Sequence, residues 1–196
     1  MKLDELGRAV ETCQDCDLYR RATQAVFGEG PADADLILMG EQPGDQEDRQ
    51  GHPFVGPAGR VLDRGLRDAA IDRDRVYITN AVKHFKWRPR GKVRLHQKPS
   101  AREVAACRQW WEAEVEIVAP RILMCLGATA GQAVFGPKFR ITRQRGEYQQ
   151  LPSGVWVTAT VHPSAILRTD EGPERDAAFD GFVDDLRAVA KRLDAA

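Results

Sequence analysis

The chain has 196 residues, 42% of them hydrophobic and 30% charged, which suits a single packed core and leaves no compositional case for disorder. Its 29 basic and 29 acidic residues cancel, so net charge alone points to no polyanionic partner. The longest apolar run, from Ile122 to Phe135, is broken by Gly127, Thr129 and Gln132, well short of the roughly 20 apolar residues a spanning helix needs. The opening MKLDELGRAVETC carries charge where a secretory leader needs an apolar centre, so a cytoplasmic protein with no membrane partner is expected.

In chain order, Asp35 to Gly40 (DLILMG) predicts a buried parallel strand opening into a loop at glycine. Pro57 to Ala70 predicts an amphipathic helix, with Val61, Leu62, Leu66 and Ala69/Ala70 on one face. Arg75 to Asn80 predicts a second strand, followed by a basic segment expected as a loop. Ser100, with Glu103 three residues on, forms a capping-box pattern for a helix running to about Val118, before Pro120 ends it. Ile122 to Leu126 predicts a third strand and Gly127 to Phe135 a helix. Val155 to Val161 predicts a β-rich run that ends at His162-Pro163-Ser164, and Pro173 to Leu193 a terminal helix. With no internal repeat, residues 1–196 are expected to form one α/β domain, a central parallel four-stranded sheet flanked by helices, with 83–99 as a basic insertion. Three strands end in short polar motifs, GEQPGDQED, TNAVKHF and HPS. Ligands of open α/β sheets sit at the carboxyl ends of strands, so these motifs should converge.

Between Lys83 and Arg102 the chain carries Lys83, Lys86, Arg88, Arg90, Lys92, Arg94, Lys98 and Arg102 and no acidic residue. Such a run can neutralise phosphates, and the interleaved Phe85 and Trp87 suit stacking on unpaired bases; a solvated loop tethered at both ends is the other reading. The four cysteines are Cys13 and Cys16, in a C-x-x-C loop, Cys107 in a predicted helix and Cys125 in a predicted core strand. In a reducing compartment four thiolates on one metal centre are a better account than disulfides. An iron–sulfur cluster and zinc both accept that set, and spacing does not choose between them; Cys107 and Cys125 as plain core residues is the alternative.

The stretches GEQPGDQEDRQGHPFVGPAGRVLD (Gly40 to Asp63), TNAVKHF (Thr79 to Phe85) and HPS (His162 to Ser164) resemble the Fe-S uracil-DNA glycosylases, in a family 4-like pattern, as does the cysteine arrangement. Within that group Gln42 and the insertion ending in KVRLH (Lys92 to His96) resemble the UdgX branch, known for a histidine that becomes covalently attached to DNA after uracil is removed. The usual loop of that branch is KRRIH, so Val93 replaces an Arg and Leu95 an Ile. The resemblance implies a uracil-DNA glycosylase fold, a 4Fe-4S cluster on Cys13, Cys16, Cys107 and Cys125, and uracil-containing DNA as partner, single-stranded or duplex.

The chemistry of these residue types runs beside that resemblance. A base must leave the stack before its glycosidic bond is reached. Phe54 could then stack on it, and the Asn80 amide both donates and accepts, as the O4/N3 edge of uracil requires; taken alone, the two also fit a core residue and a turn residue. Cleavage leaves negative charge on uracil. Backbone N–H groups around Gln42-Pro43-Gly44 and the imidazole of His162 are expected to meet that charge, with Gly40 and Ser164 as further substrate contacts. Glu41 is expected to stabilise the sugar cation or orient His96, which would attack C1′; Asp45 is a helper without a fixed role. Lys83, Lys92, Arg94 and Lys98 are the expected phosphate contacts, with Arg94 also at the substrate; for Arg94 and Lys92 the alternative is that they hold the loop's own shape. Three functions follow: a glycosylase trapped through His96, a turnover glycosylase of the same fold, and a non-catalytic Fe-S protein that binds nucleic acid or transfers electrons. A small, evenly charged domain is expected to be monomeric.

Overall fold

A computed structural model describes residues 2–195. Its centre is β1 (Leu36–Gly40), β2 (Val76–Asn80), β5 (Ile122–Leu126) and β7 (Trp156–Thr160), numbered with the strands β3 (Trp87–Arg90), β4 (Val93–His96) and β6 (Gln149–Gln150) that lie between them in the chain. The order across the sheet is β2-β1-β5-β7-β6. The first four run parallel, as the sequence predicts, and two-residue β6 adds an antiparallel fifth strand at one edge, beyond the predicted four. All five residues of β1, β2 and β5 are buried, which is why these strands are continuously apolar rather than alternating.

The helices are α1 (Leu3–Glu11), α2 (Asp45–Gln50), α3 (Pro57–Asp68), α4 (Ala101–Val118), α5 (Ala128–Phe135), α6 (Ile141–Gln144), α7 (Pro163–Arg168) and α8 (Pro173–Asp194). Odd and even strand positions split the core into two layers. Leu36, Leu38, Ile78 and Met124 pack with Leu62 and Leu66 of α3 and Phe182 and Leu186 of α8. Ile37, Met39, Leu123 and Val157 pack with Trp111, Val115 and Val118 of α4 and Ala130 of α5. Each layer removes large aliphatic and aromatic side chains from water at roughly 1.5–3 kcal/mol apiece. The capping box at α4 forms as its sequence predicts, with the Glu103 N–H donating to Ser100 Oγ at 3.3 Å and the Ser100 N–H to Glu103 Oε2 at 2.6 Å.

The basic segment departs from its expected loop. Residues 87–96 fold into an antiparallel hairpin, β3 against β4, with Trp87 opposite His96, Arg88 opposite Leu95, Pro89 opposite Arg94 and Arg90 opposite Val93. Gly91 at the tip has φ of 58°, the left-handed turn conformation that glycine adopts without strain. Among the described residues no helix is long and apolar enough to cross a membrane.

Candidate active site

The three strand-end motifs converge as expected. A cleft of about 800 Å³ at the carboxyl ends of the parallel strands is lined by Glu41, Gln42, Phe54, Asn80, His96 and His162, with Gly44, Asp45, Lys98 and Ser164 at its margin. Gly40, at the end of β1, leaves room for two side chains of the cleft: a Cβ there would lie 2.5 Å from Asn80 Oδ1 and 2.7 Å from the Phe54 ring. Gly127 supports the far wall in the same way, since its Cβ would meet the His162 Cβ at 2.8 Å and its φ is 91°.

Asn80 is buried, and its Oδ1 accepts no hydrogen bond within the protein although it borders the cleft. An orphaned buried acceptor costs stability unless a ligand satisfies it. Phe54 is held at φ of 57°, a conformation uncommon for a bulky residue, with its ring 5.9 Å from that of His162 and tilted by 28°. His162 caps α7: its Nδ1 accepts the Ser164 N–H at 3.1 Å and lies 2.8 Å from Ser164 Oγ. That arrangement assigns the proton of the neutral ring to Nε2. Burial pushes the imidazole down to about 4, against a smaller opposing pull from Glu41, so His162 is a neutral N–H donor at neutral pH.

Glu41 is held by Thr129, whose hydroxyl donates to Oε2, and its Oε1 lies 3.3 Å from His96 Nε2. Burial raises the carboxyl, but hydrogen bonds from His96 and Thr129 and the nearby imidazoles outweigh it and hold Glu41 below the usual carboxylate range. His96 is half exposed at the mouth of the cleft. It is fixed there by a contact the sequence did not signal. Gln42 donates from Nε2 to the carbonyls of Gln97 (3.0 Å) and Lys86 (3.3 Å) and accepts the Lys86 N–H at 3.2 Å, bracing both roots of the hairpin beside His96.

Two expected phosphate contacts are corrected. Lys83 is fully buried, donating 2.6 Å bonds to Glu114 Oε2 and Thr79 Oγ1 and a 3.0 Å bond to the Asn80 carbonyl. Arg94 faces the protein: it donates to Asp45, to Asp48 Oδ2 at 2.6 Å and to Thr23 Oγ1 at 3.2 Å, with its guanidinium 5.4 and 5.5 Å from the Phe85 and Trp87 ring centres. Asp45 thereby acquires a role as anchor of the hairpin. Lys92 and Lys98 remain exposed.

The cysteines divide. Cys16 and Cys107 share a hydrogen bond that draws Cys16 down to about 6 and pushes Cys107 up, and the Lys83 backbone N–H donates to Cys107. Cys13 accepts the Trp110 Nε1–H at 3.2 Å. Cys125, by contrast, sits in β5 between Met39 and Ala159, wholly buried in the apolar layer of α4 and α5, where burial alone pushes its thiol up. It therefore does not join the other three as expected. Its strand position points it into the sheet's packed face. A different donor is His84, next in sequence to Lys83, whose backbone N–H donates to Cys107; it is buried, and its Nδ1 has no partner. No three His, Cys, Asp or Glu side chains among the described residues close on a single ion. Cys13, Cys16, Cys107 and His84 supply three soft sulfurs and a nitrogen, a set that fits a cluster whose separate irons each take one ligand.

The open α/β sheet thus presents at its carboxyl edge a cleft with a buried amide without a partner and a neutral histidine donor. The family model "Uracil DNA glycosylase superfamily" matches residues 27–187, and the chain belongs to that superfamily. A protein of Thermotoga maritima named Type-4 uracil-DNA glycosylase is 39% identical over 167 residues, covering 85% of this chain and 83% of the relative. Proteins with the same name from Archaeoglobus fulgidus and Sulfurisphaera tokodaii are each 34% identical, over 84% of this chain and 83% and 76% of their own lengths.

Proposed function

We propose that the chain excises uracil from DNA and is then captured on the abasic site through His96. The observation that carries this reading is the placement of His96 Nε2 3.3 Å from Glu41 Oε1 at the mouth of the cleft. The similarity to Type-4 uracil-DNA glycosylases supports the excision step. A turnover glycosylase is equally compatible with those relatives; the braced histidine is what favours capture.

A flipped uracil in the cleft would stack on Phe54 and satisfy the free Asn80 acceptor through its N3–H, with the Asn80 amide donating to O4. As the C1′–N1 bond breaks, its electron pair leaves with uracil, and the charge that develops at O2 meets the Nε2–H of neutral His162. The ionised Glu41 stabilises the cationic sugar. A ring nitrogen of His96 then bonds to C1′, and the imidazolium proton passes to Glu41. No water attacks C1′, so the product stays attached and turnover stops. A 4Fe-4S cluster would be held by Cys13, Cys16 and Cys107, with His84 as the fourth donor; cleaving this bond transfers no electron, so the cluster's contribution would be structural.

Denaturing electrophoresis after incubation with a uracil-containing single-stranded oligonucleotide tests the reading. The parent should give a band that survives SDS and heat, and His96→Ser should lose the band while still releasing uracil. Uracil release by both without a band would leave the turnover glycosylase, and no release by either would overturn glycosylase activity. Iron and sulfide content tests the ligand set: His84→Ala should lose iron, and Cys125→Val should keep it.

A further inference from the structure

The hairpin that carries His96 has two faces, and only one is accounted for above. Residues directly opposite in an antiparallel pair project to the same side. Trp87 with His96 and Pro89 with Arg94 therefore form one face, and Arg88 with Leu95 and Arg90 with Val93 the other. The first face is turned to the protein: Trp87 Nε1 donates to the Arg21 carbonyl at 2.9 Å, Arg94 is clasped by Asp45 and Asp48, and His96 meets Glu41. The second face is turned away. Arg88, Arg90 and Val93 are exposed, as is Lys92 at the tip, and Val93, 63% accessible, is one of two exposed large hydrophobics among the described residues.

The charges on the outer face differ from those around them. Lys86 pairs with Glu103, and Arg94 with Asp45 and Asp48. Arg88, Arg90 and Lys92 have no carboxylate partner among the described residues, and no acidic residue occurs between Lys83 and Arg102. A long cationic side chain left unpaired on a rigid ribbon is suited to a polyanion.

We propose that this outer face, Arg88 and Arg90 with Lys92, follows the phosphates of the strand that carries the target nucleotide, and that Val93 and Leu95 rest against its sugars. The inference rests on the DNA substrate proposed above and adds where the strand runs. From His96 to Lys92 the ribbon spans about 13 Å at ~3.3 Å per residue, long enough to run beside consecutive nucleotides of one strand. The register also explains how one short segment serves two purposes. Its inner arginine fixes the histidine, and its outer arginines meet the backbone.

The salt dependence of binding tests this directly, with a fluorescent single-stranded 20-mer without uracil as probe. For single strands the slope of log K against log salt changes by about 0.7 per phosphate contact. The variant R88Q/R90Q should therefore flatten the slope by about 1.4 and raise the protein concentration that gives the half-maximal rate of single-turnover uracil release from the same 20-mer carrying uracil. Both side chains are exposed and unpaired, so an unchanged thermal midpoint should accompany the variant. A slope equal to the parent's would overturn the proposal, as would equal flattening by Arg187→Gln/Lys191→Gln, two exposed cations of α8, which contributes no residue to the cleft. The proposed activity is checked separately by release of uracil from a trinucleotide with the parent protein. Loss of that release would remove the glycosylase reading, while the salt slope on uracil-free DNA would still decide the surface.

Discussion

At the scale of single residues the site depends on which groups carry a proton. Glu41 lies below the usual carboxylate range and His162 at about 4, so at neutral pH the first is an anion and the second an uncharged donor. For stability the sign follows from where the unfolded chain holds its protons. Unfolded His162 takes up a proton near 6.5 while the folded one does so only near 4, so this group's contribution is complete above pH 6.5 and declines as pH falls toward 4. For catalysis, uracil release by His96→Ser, measured as a pH–rate profile, should have its acid limb in the carboxylate range and none near 6.5. A limb near 6.5 would mean that His162 titrates as an ordinary histidine. Removing the His162 donor as His162→Ala should slow release by about 10²–10³. Gly40→Ala tests the packing of the Asn80 and Phe54 side chains over Gly40: a methyl 2.5 Å from Asn80 Oδ1 must displace the amide or the Phe54 ring, so release should fall steeply and unfolding should cost about 1–3 kcal/mol less.

At the scale of elements, the strands and long helices were legible because each carries a period or a cap. β1, β2, β5 and β7 are apolar runs, and α4 begins at Ser100 with Glu103 in place. The hairpin was not legible as strands: each face mixes apolar and charged residues, Trp87 with Arg94 on one and Val93 and Leu95 with Arg88 and Arg90 on the other, Pro89 counts against a strand, and the contacts that pin it are distant in sequence. The role of Gln42 was hidden for the same reason: its partners lie 44 and 55 residues away. Gln42→Ala should loosen the hairpin root and lower the yield of adduct per uracil released, while release itself declines less. Equal loss of both would show that Gln42 acts on the pocket and not through His96.

At the scale of the whole molecule, the parallel sheet brings the ends of β1 and β2 and the turn after β7 to one edge, and a buried network ties that edge to α4. Glu114 accepts from Lys83, Thr79, Tyr77 and the Gly28 N–H without exposure to water. Sequence alone placed Lys83 among the DNA contacts, because a lysine in a basic run is ordinarily exposed. Its carboxylate partner lies 31 residues on, across the domain. Breaking a buried pair from one side is costly, so Glu114→Gln should lower unfolding free energy by about 3–5 kcal/mol in chemical denaturation, whereas removal of an exposed pair such as Arg108 with Glu112 should change it by less than about 1 kcal/mol. Cys125 gave the opposite lesson. Its place in an apolar strand already marked it as a core residue, and the proposed fourth donor, His84, is buried with its Nδ1 unpartnered.

The central claim, excision followed by capture on His96, is tested most directly by intact-protein mass spectrometry after reaction with a uracil-containing oligonucleotide, followed by peptide sequencing. The account predicts a species equal to the protein plus the oligonucleotide lacking its uracil base, with the added mass on the peptide that contains His96. Free uracil in solution with the protein mass unchanged, or an added mass on a peptide without His96, would contradict it.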